Sequence, residues 1–137
     1  MEKIDEAERR RMIDMAVQAK ERAYAPYSGF RVGACLRARN GRYYLGCNIE
    51  NAAFTPTSCA ERTALFQAVY EGERAFDAIA VVCDAERPAF PCGVCRQALS
   101  EFCAPDMPVF CAGGGGEAVS LTLGALLPYA FGPGDLR

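Results

Sequence analysis

Four residues in two short stretches of this 137-residue chain are of the types that perform chemistry together. They are Cys59 and Glu61 in TSCAERTAL, and Cys92 and Cys95 in PCGVCRQ. Both stretches read as the opening turns of helices. Cys92 and Cys95, three residues apart, then share one helical face, with Pro91 placed to set the helix start. The unpaired N–H groups and the dipole of a helix N-terminus favour a thiolate. Three thiolates offer three ligands, and zinc with three protein ligands keeps its fourth position for water. Such water has a pKa near ~7, which makes hydroxide available at neutral pH. An acid two residues from one ligand can reach that water without binding the metal, and Glu61 is so placed. The same residues have other readings. The C-x-x-C can be a redox pair, two core thiols or part of a structural zinc knot. Cys59 can be a small buried hydrophobe, and Glu61 an acid favoured by the helix dipole. The redox reading leaves Cys59-x-Glu61 without a reason, and a structural knot wants a fourth protein ligand that no spacing singles out.

The chain has eight cysteines and no histidine. Any general base must therefore be a carboxylate, lysine, tyrosine or thiolate, and any transition-metal site must rely on sulfur and oxygen. The N-terminal stretch is too charged for a signal peptide, so a cytoplasmic location and reduced thiols are expected. Cys35, Cys47, Cys83, Cys103 and Cys111 read as small core or strand-end residues. The net charge of −2, with no basic stripe, gives no footprint for nucleic acid. No apolar run reaches membrane-span length. The length and the 51% hydrophobic content suit one domain, residues 1–137, with a real core.

The elements that must position the four residues follow from periodicity. Met12, Met15, Ala16, Ala19 and Ala23 recur at helical spacing and predict a helix over residues 5–23, ended by Pro26. Residues 30–38 and 43–47 read as strands joined by an Asn-Gly turn. A polar loop leads to a helix from about Cys59 to Tyr70, with Gly72 as its stop. FDAIAVVC is a continuous apolar run, hence a buried strand. A helix over about 92–102, the strand MPVFCAG, a glycine turn, a strand in AVSLTL and a short helix in LGALLPYAF complete the chain. Helices between strands point to parallel pairing in the second half, after an antiparallel opening hairpin. The expected fold is α/β, with one mixed sheet of about five strands covered by helices.

The pattern Cys59-Ala60-Glu61 followed by Pro91-Cys92-Gly93-Val94-Cys95 is the zinc-deaminase signature in its three-cysteine form. Around it, YAPYSGFRVGA, GCNIENAAF, CAERTAL, PCGVCRQ and LLPYAFGPGDL occur in order. Over nearly its whole length the chain resembles the short, homotetrameric cytidine deaminases. That resemblance implies a three-layer α/β/α fold, one zinc per chain and the hydrolysis of cytidine and 2′-deoxycytidine in pyrimidine salvage. It implies that Cys59, Cys92 and Cys95 hold the metal. Glu61 would take a proton from the zinc-bound water as hydroxide attacks C4 of cytosine, protonate N3, and then help protonate the departing amine. Arg62 would donate to the sulfurs and offset the net −1 that three thiolates leave around Zn²⁺. Asn48 and Glu50 match residues that hold the ribose hydroxyls. Phe30 matches an aromatic near the pyrimidine, and the Ala60 amide matches the group that reads its O2. Ala52 and Phe54 fall on the substrate side, with Phe54 standing where many relatives carry tyrosine. Phe90 stands where relatives often have a small polar residue. Phe131 matches a tail aromatic that reaches a neighbouring subunit's site, so the resemblance implies a homotetramer with shared active sites. A related possibility is an aminopyrimidine nucleoside analogue such as blasticidin S as substrate. The CNIEN block and the FGPGDL tail favour the simple nucleoside.

Overall fold

The computed structural model describes residues 4–115 and 117–136. The chain opens with helix α1, Glu6–Lys20. Asp5 caps it by accepting the Glu8 amide at 2.8 Å. The helix stops three residues earlier than its apolar spacing suggests. Beyond Lys20 the bonds tighten to the i−3 carbonyls, and the Tyr24 amide then turns away to the Asn48 carbonyl at 2.9 Å. A long-range bridge has outcompeted the helix there.

Strands β1, Val32–Ala38, and β2, Tyr43–Cys47, form the opening hairpin, which turns at Gly41 with φ +90°. Phe30 and Arg31 stay outside β1. The Phe30 amide is taken by the Ser28 hydroxyl and the Arg31 amide by Asp84. Next come α2, Ala60–Tyr70, β3, Phe76–Cys83, and α3, Gly93–Ser100. Strands β4, Pro108–Ala112, and β5, Ala118–Thr122, then lead to α4, Leu123–Leu126. A 3₁₀ turn at Pro133–Leu136 follows.

The sheet order is β2-β1-β3-β4-β5. Strand β1 is antiparallel to both β2 and β3, while β3 and β4 are parallel. Helix α3 lies between β3 and β4 in sequence and so lies within the crossover that parallel strands need. The parallel pairing expected where a helix separates two strands is found between β3 and β4, while β5, which follows a glycine turn rather than a helix, runs antiparallel to β4. The glycine-rich connection between them is too short for a crossover and makes a hairpin instead.

Side chains alternate across this sheet. Cys35, Ala78, Ala80, Val82 and Phe110 meet Met12 and Ala16 of α1 on one face. Ala34, Leu36, Ile79, Val81 and Val109 meet Ala60, Ala64 and Leu65 of α2, Leu99 of α3 and Leu123 of α4 on the other. Central β3 is buried along its whole length, as a strand covered on both faces must be. The result is three layers, α/β/α.

Two glycines set how closely the helices approach the sheet. A Cβ on Gly33 would stand 2.0 Å from the Ala16 carbonyl oxygen of α1. On the opposite face, a Cβ on Gly46 would stand 2.3 Å from the Ala60 carbonyl oxygen and 2.5 Å from the Ala64 nitrogen of α2. Gly46 is therefore where the start of α2 rests its backbone against the sheet.

Candidate active site

Helices α2 and α3 both begin on a cysteine. Cys59 and Cys92 are the N-cap residues, in extended conformation, and neither thiol bonds the helix backbone. With Cys95 one turn into α3, the three sulfurs all lie within 4.8 Å of one another. The Cys59 and Cys92 sulfurs are 3.9 Å apart. A tetrahedral zinc at ~2.3 Å from each sulfur would hold them about 3.8 Å apart, so the cluster suits that ion with little movement. An all-sulfur donor set is soft, which favours zinc over magnesium or calcium. Cys95 is buried, Cys59 half-buried and Cys92 exposed, so the cluster meets solvent at Cys92.

The electrostatics around the sulfurs are uneven. The Cys59 thiol is pulled down to about 5, first by the hydrogen bond it shares with Cys95 and then by Arg62. The Arg62 Nη2 donates to the Cys59 sulfur at 3.3 Å, and this bond holds the guanidinium above its ordinary pKa. Cys95 moves the other way, raised by the same hydrogen bond and by burial. Arg62 thus favours the charged form at Cys59, burial disfavours it at Cys95, and a metal ion requires its ligand thiols deprotonated.

Glu61 lies in the first turn of α2 and is 5% exposed. Burial pushes its carboxyl up to about 7, with the neighbouring Cys59 charge adding to the effect. Among the described residues no other side chain donates a hydrogen bond to it. A carboxyl desolvated in this way, one turn from a metal-ligand cluster, has the features of a proton-transfer group rather than of a stabilising first-turn acid.

Residues 48–50 run alongside this centre. Ile49 and Ser58 exchange backbone hydrogen bonds at 2.9 and 3.0 Å, which fixes the loop against the residue preceding Cys59. The Asn48 side chain accepts from the Val32 amide and donates to the Phe30 carbonyl, both at 2.9 Å. Glu50 accepts the Tyr27 and Ser28 amides at 2.9 and 3.1 Å, together with the Ser28 hydroxyl. These bonds, led by that hydroxyl, hold its pKa below the ordinary value. Phe54 is exposed at φ +64° and meets Tyr27 edge-on, with ring centroids 6.4 Å apart. Ala52 is exposed in the same loop, Phe30 is exposed on the segment that Asn48 anchors, and Ala60 is buried at the start of α2. Phe90 is exposed just before buried Pro91. Phe131 stands apart from this group, in the C-terminal segment, with its carbonyl accepting from Gln97.

Sequence reasoning missed several residues that hold the centre in place. Arg96 follows a ligand cysteine, yet its guanidinium points away from the sulfurs to the carbonyls of Pro91 and Leu126. Asp84 gathers Lys20 and Arg31, joining the end of α1, the approach to β1 and the end of β3. Ser28 links Glu50 to Phe30. Apart from Pro91 and Phe30, which are near in sequence, their partners lie between 22 and 64 positions away in the chain, so no local pattern pointed to them.

Comparison with known proteins agrees with this centre. Residues 6–111 match the model of the cytidine and deoxycytidylate deaminase zinc-binding region. A cytidine deaminase of Sporosarcina psychrophila is 51% identical over 126 residues, covering 92% of this chain and 93% of that protein. One of Halalkalibacterium halodurans is 48% identical, covering 95% and 98%. The crystal structure of a Burkholderia pseudomallei cytidine deaminase superposes with a TM-score of 0.86 at 45% identity, covering 89% of this chain and 98% of that one.

Proposed function

Since the chain belongs to the cytidine and deoxycytidylate deaminase zinc-binding family, we propose that it hydrolyses cytidine and 2′-deoxycytidine to uridine and 2′-deoxyuridine, releasing ammonia. The observation that carries this reading is a buried carboxyl, Glu61, with a pKa near neutrality beside three converging thiols.

Cys59, Cys92 and Cys95 would hold one zinc, which would supply an acidified water with a pKa near ~7. Glu61 takes up that water's proton on its carboxylate. It delivers that proton to N3 of the pyrimidine as C4 gains oxygen, then takes the proton of the new C4 hydroxyl and passes it to the departing amine, so that C4 keeps a carbonyl oxygen and ammonia leaves. A carboxyl that titrates near neutrality both accepts and releases protons readily, and it ends each cycle as it began. Arg62 offsets the excess negative charge of three thiolates, with the support of two helix N-termini. The Ala60 amide, in the first turn of α2 where N–H groups lack helical partners, suits the pyrimidine O2. Glu50 keeps lone pairs beyond those used by residues 27 and 28, and with Asn48 it takes the ribose hydroxyls. Phe30 and Phe54 offer ring faces to the nucleoside, and Ala52 leaves room beside them.

We extend the proposal to assembly. The catalytic domain spans residues 1–137 and works as a homotetramer in the cytoplasm, in pyrimidine salvage, without nucleic-acid or membrane partners. Among the described residues no helix is long and apolar enough to cross a membrane. Phe66, Tyr70, Tyr129 and Phe131 are all more than half exposed in the isolated chain, and large rings of this kind are suited to burial against other copies. In this arrangement Phe131 of one chain completes the nucleoside site of a neighbour.

The test is an absorbance assay over cytidine, deoxycytidine, deoxycytidine monophosphate, cytosine, adenosine and blasticidin S, on protein of measured zinc content. Turnover of the first two by protein with about one zinc per chain is expected. Turnover of blasticidin S alone, or full activity without zinc, would overturn the reading.

A further inference from the structure

Arg96 and Gln97, the two residues after Cys95, both reach the C-terminal segment. The Arg96 Nε donates to the Pro91 carbonyl at 2.6 Å and its Nη1 to the Leu126 carbonyl at 2.8 Å. The Gln97 Nε2 donates to the Phe131 carbonyl at 2.9 Å. Pro91 is fully buried and directly precedes one ligand, while Arg96 directly follows another. Leu126 is the last residue of α4, with the tail beyond it. The tail lies over a cavity of about 130 Å³ lined by residues that include Cys103, Pro105, Leu123, Leu127 and Phe131.

We propose that Arg96 and Gln97 are positioning residues that join the metal loop to the C-terminal segment, so that zinc binding and the seating of residues 126–131 stabilise each other. The inference rests on the zinc site described above. An ion held by Cys92 and Cys95 fixes the first turn of α3, and with it both the Pro91 carbonyl and the root of the Arg96 side chain. The planar guanidinium, already held on one side, is then aimed at Leu126 without further ordering. The Gln97 bond adds a second tie four residues after Leu127. Coupling of this kind is reciprocal: a seated tail must slow zinc loss as much as zinc secures the tail. The arrangement places Phe131, the residue proposed to serve a neighbouring site, under the influence of the chain's own metal.

The experiment uses the full-length, zinc-loaded protein and two variants, Gln97→Ala and Arg96→Lys. Zinc release to a chromophoric chelator and amide hydrogen exchange over residues 127–132 are measured, with and without zinc. A lost hydrogen bond predicts zinc release about fivefold faster in Gln97→Ala. Arg96→Lys should release it about tenfold faster, since a single ammonium cannot span both carbonyls. In the wild type, zinc should slow exchange over 127–132, and in Gln97→Ala that response should be lost while zinc content and melting temperature stay close to wild type. Gln97 is exposed, so this variant remains informative even if Arg96→Lys folds poorly. Unchanged release rates, or tail protection indifferent to zinc in the wild type, would overturn the coupling alone. A wild-type chain that takes up no zinc would overturn the metal site with it.

Discussion

Gly46→Ala tests whether the backbone contact between β2 and α2 sets the geometry of the metal centre. The added Cβ would lie 2.3 Å from the Ala60 carbonyl oxygen, where ordinary contact begins at 3.4 Å. Relief therefore requires a retreat of about 1 Å (3.4 less 2.3) by the start of α2 or by β2. If α2 yields, Cys59, Glu61 and Arg62 move while Cys92 and Cys95 stay on α3. If β2 yields, the 48–50 segment moves instead. Zinc–ligand distances tolerate about 0.2 Å, so the three sulfurs can no longer close on one ion without strain. A misplacement of ~1 Å at reacting groups costs about a hundredfold in rate, and the overpacking itself costs about 1–3 kcal/mol of stability. The expected result is zinc affinity reduced at least about tenfold and kcat reduced about a hundredfold. Two controls make this specific. Gly33→Ala meets an even closer contact, 2.0 Å from the Ala16 carbonyl oxygen, but on the face of the sheet away from the metal centre. It should lose comparable stability while keeping one zinc per chain. Gly93→Ala, beside Cys92 with nothing within 4 Å of the new Cβ, should keep both stability and zinc. Zinc is measured by titration against a chelator, and stability by urea melts. Gly46→Ala protein with wild-type zinc affinity and turnover would refute the reasoning. So would Gly33→Ala protein that loses zinc to the same extent.

Glu61→Gln should keep its zinc and lose about 10²–10⁴ in kcat; normal deamination by this variant would end the proton-transfer role. Asp84 is held well below the usual carboxylate range, first by its bond to Arg31. A lowered folded-state pKa gives stability that is present above the unfolded value near ~4 and lost as pH falls below it. Asp84→Asn should therefore be less stable by about 1 kcal/mol at pH 7, allowing for solvent screening. That gap should narrow progressively as melts are acidified below pH ~4, and a gap that grows on acidification would contradict the assignment. If Phe131 serves a neighbouring site, Phe131→Ala and Glu61→Gln chains, each nearly inactive, should regain activity when mixed. Chains that co-assemble without any recovery would rule out the shared site.

The local parts of this protein were legible because they depend on neighbours in sequence. Apolar spacing located the helices, and the continuous run from Phe76 to Cys83 marked a strand covered on both faces. The spacing of Cys92 and Cys95 is fixed by one turn of α3, and that of Cys59 and Glu61 by the start of α2. These residue types in this order carried the resemblance that implied zinc and deamination. What the sequence left open depends on distance in the chain. The start of α1's exit, where Tyr24 leaves the helix for Asn48, was decided by a partner 24 positions away. The meeting of two helix starts at one cluster needs the β2-β1-β3-β4 order and a glycine at 46, since only a bare backbone lets α2 come so close. The near-neutral pKa of Glu61 is a consequence of burial, which no residue possesses until the sheet and helices close around it. Sequence determined which groups the chain could bring to a reaction. Tertiary structure decided which of them meet, and how far water is kept from the carboxyl among them.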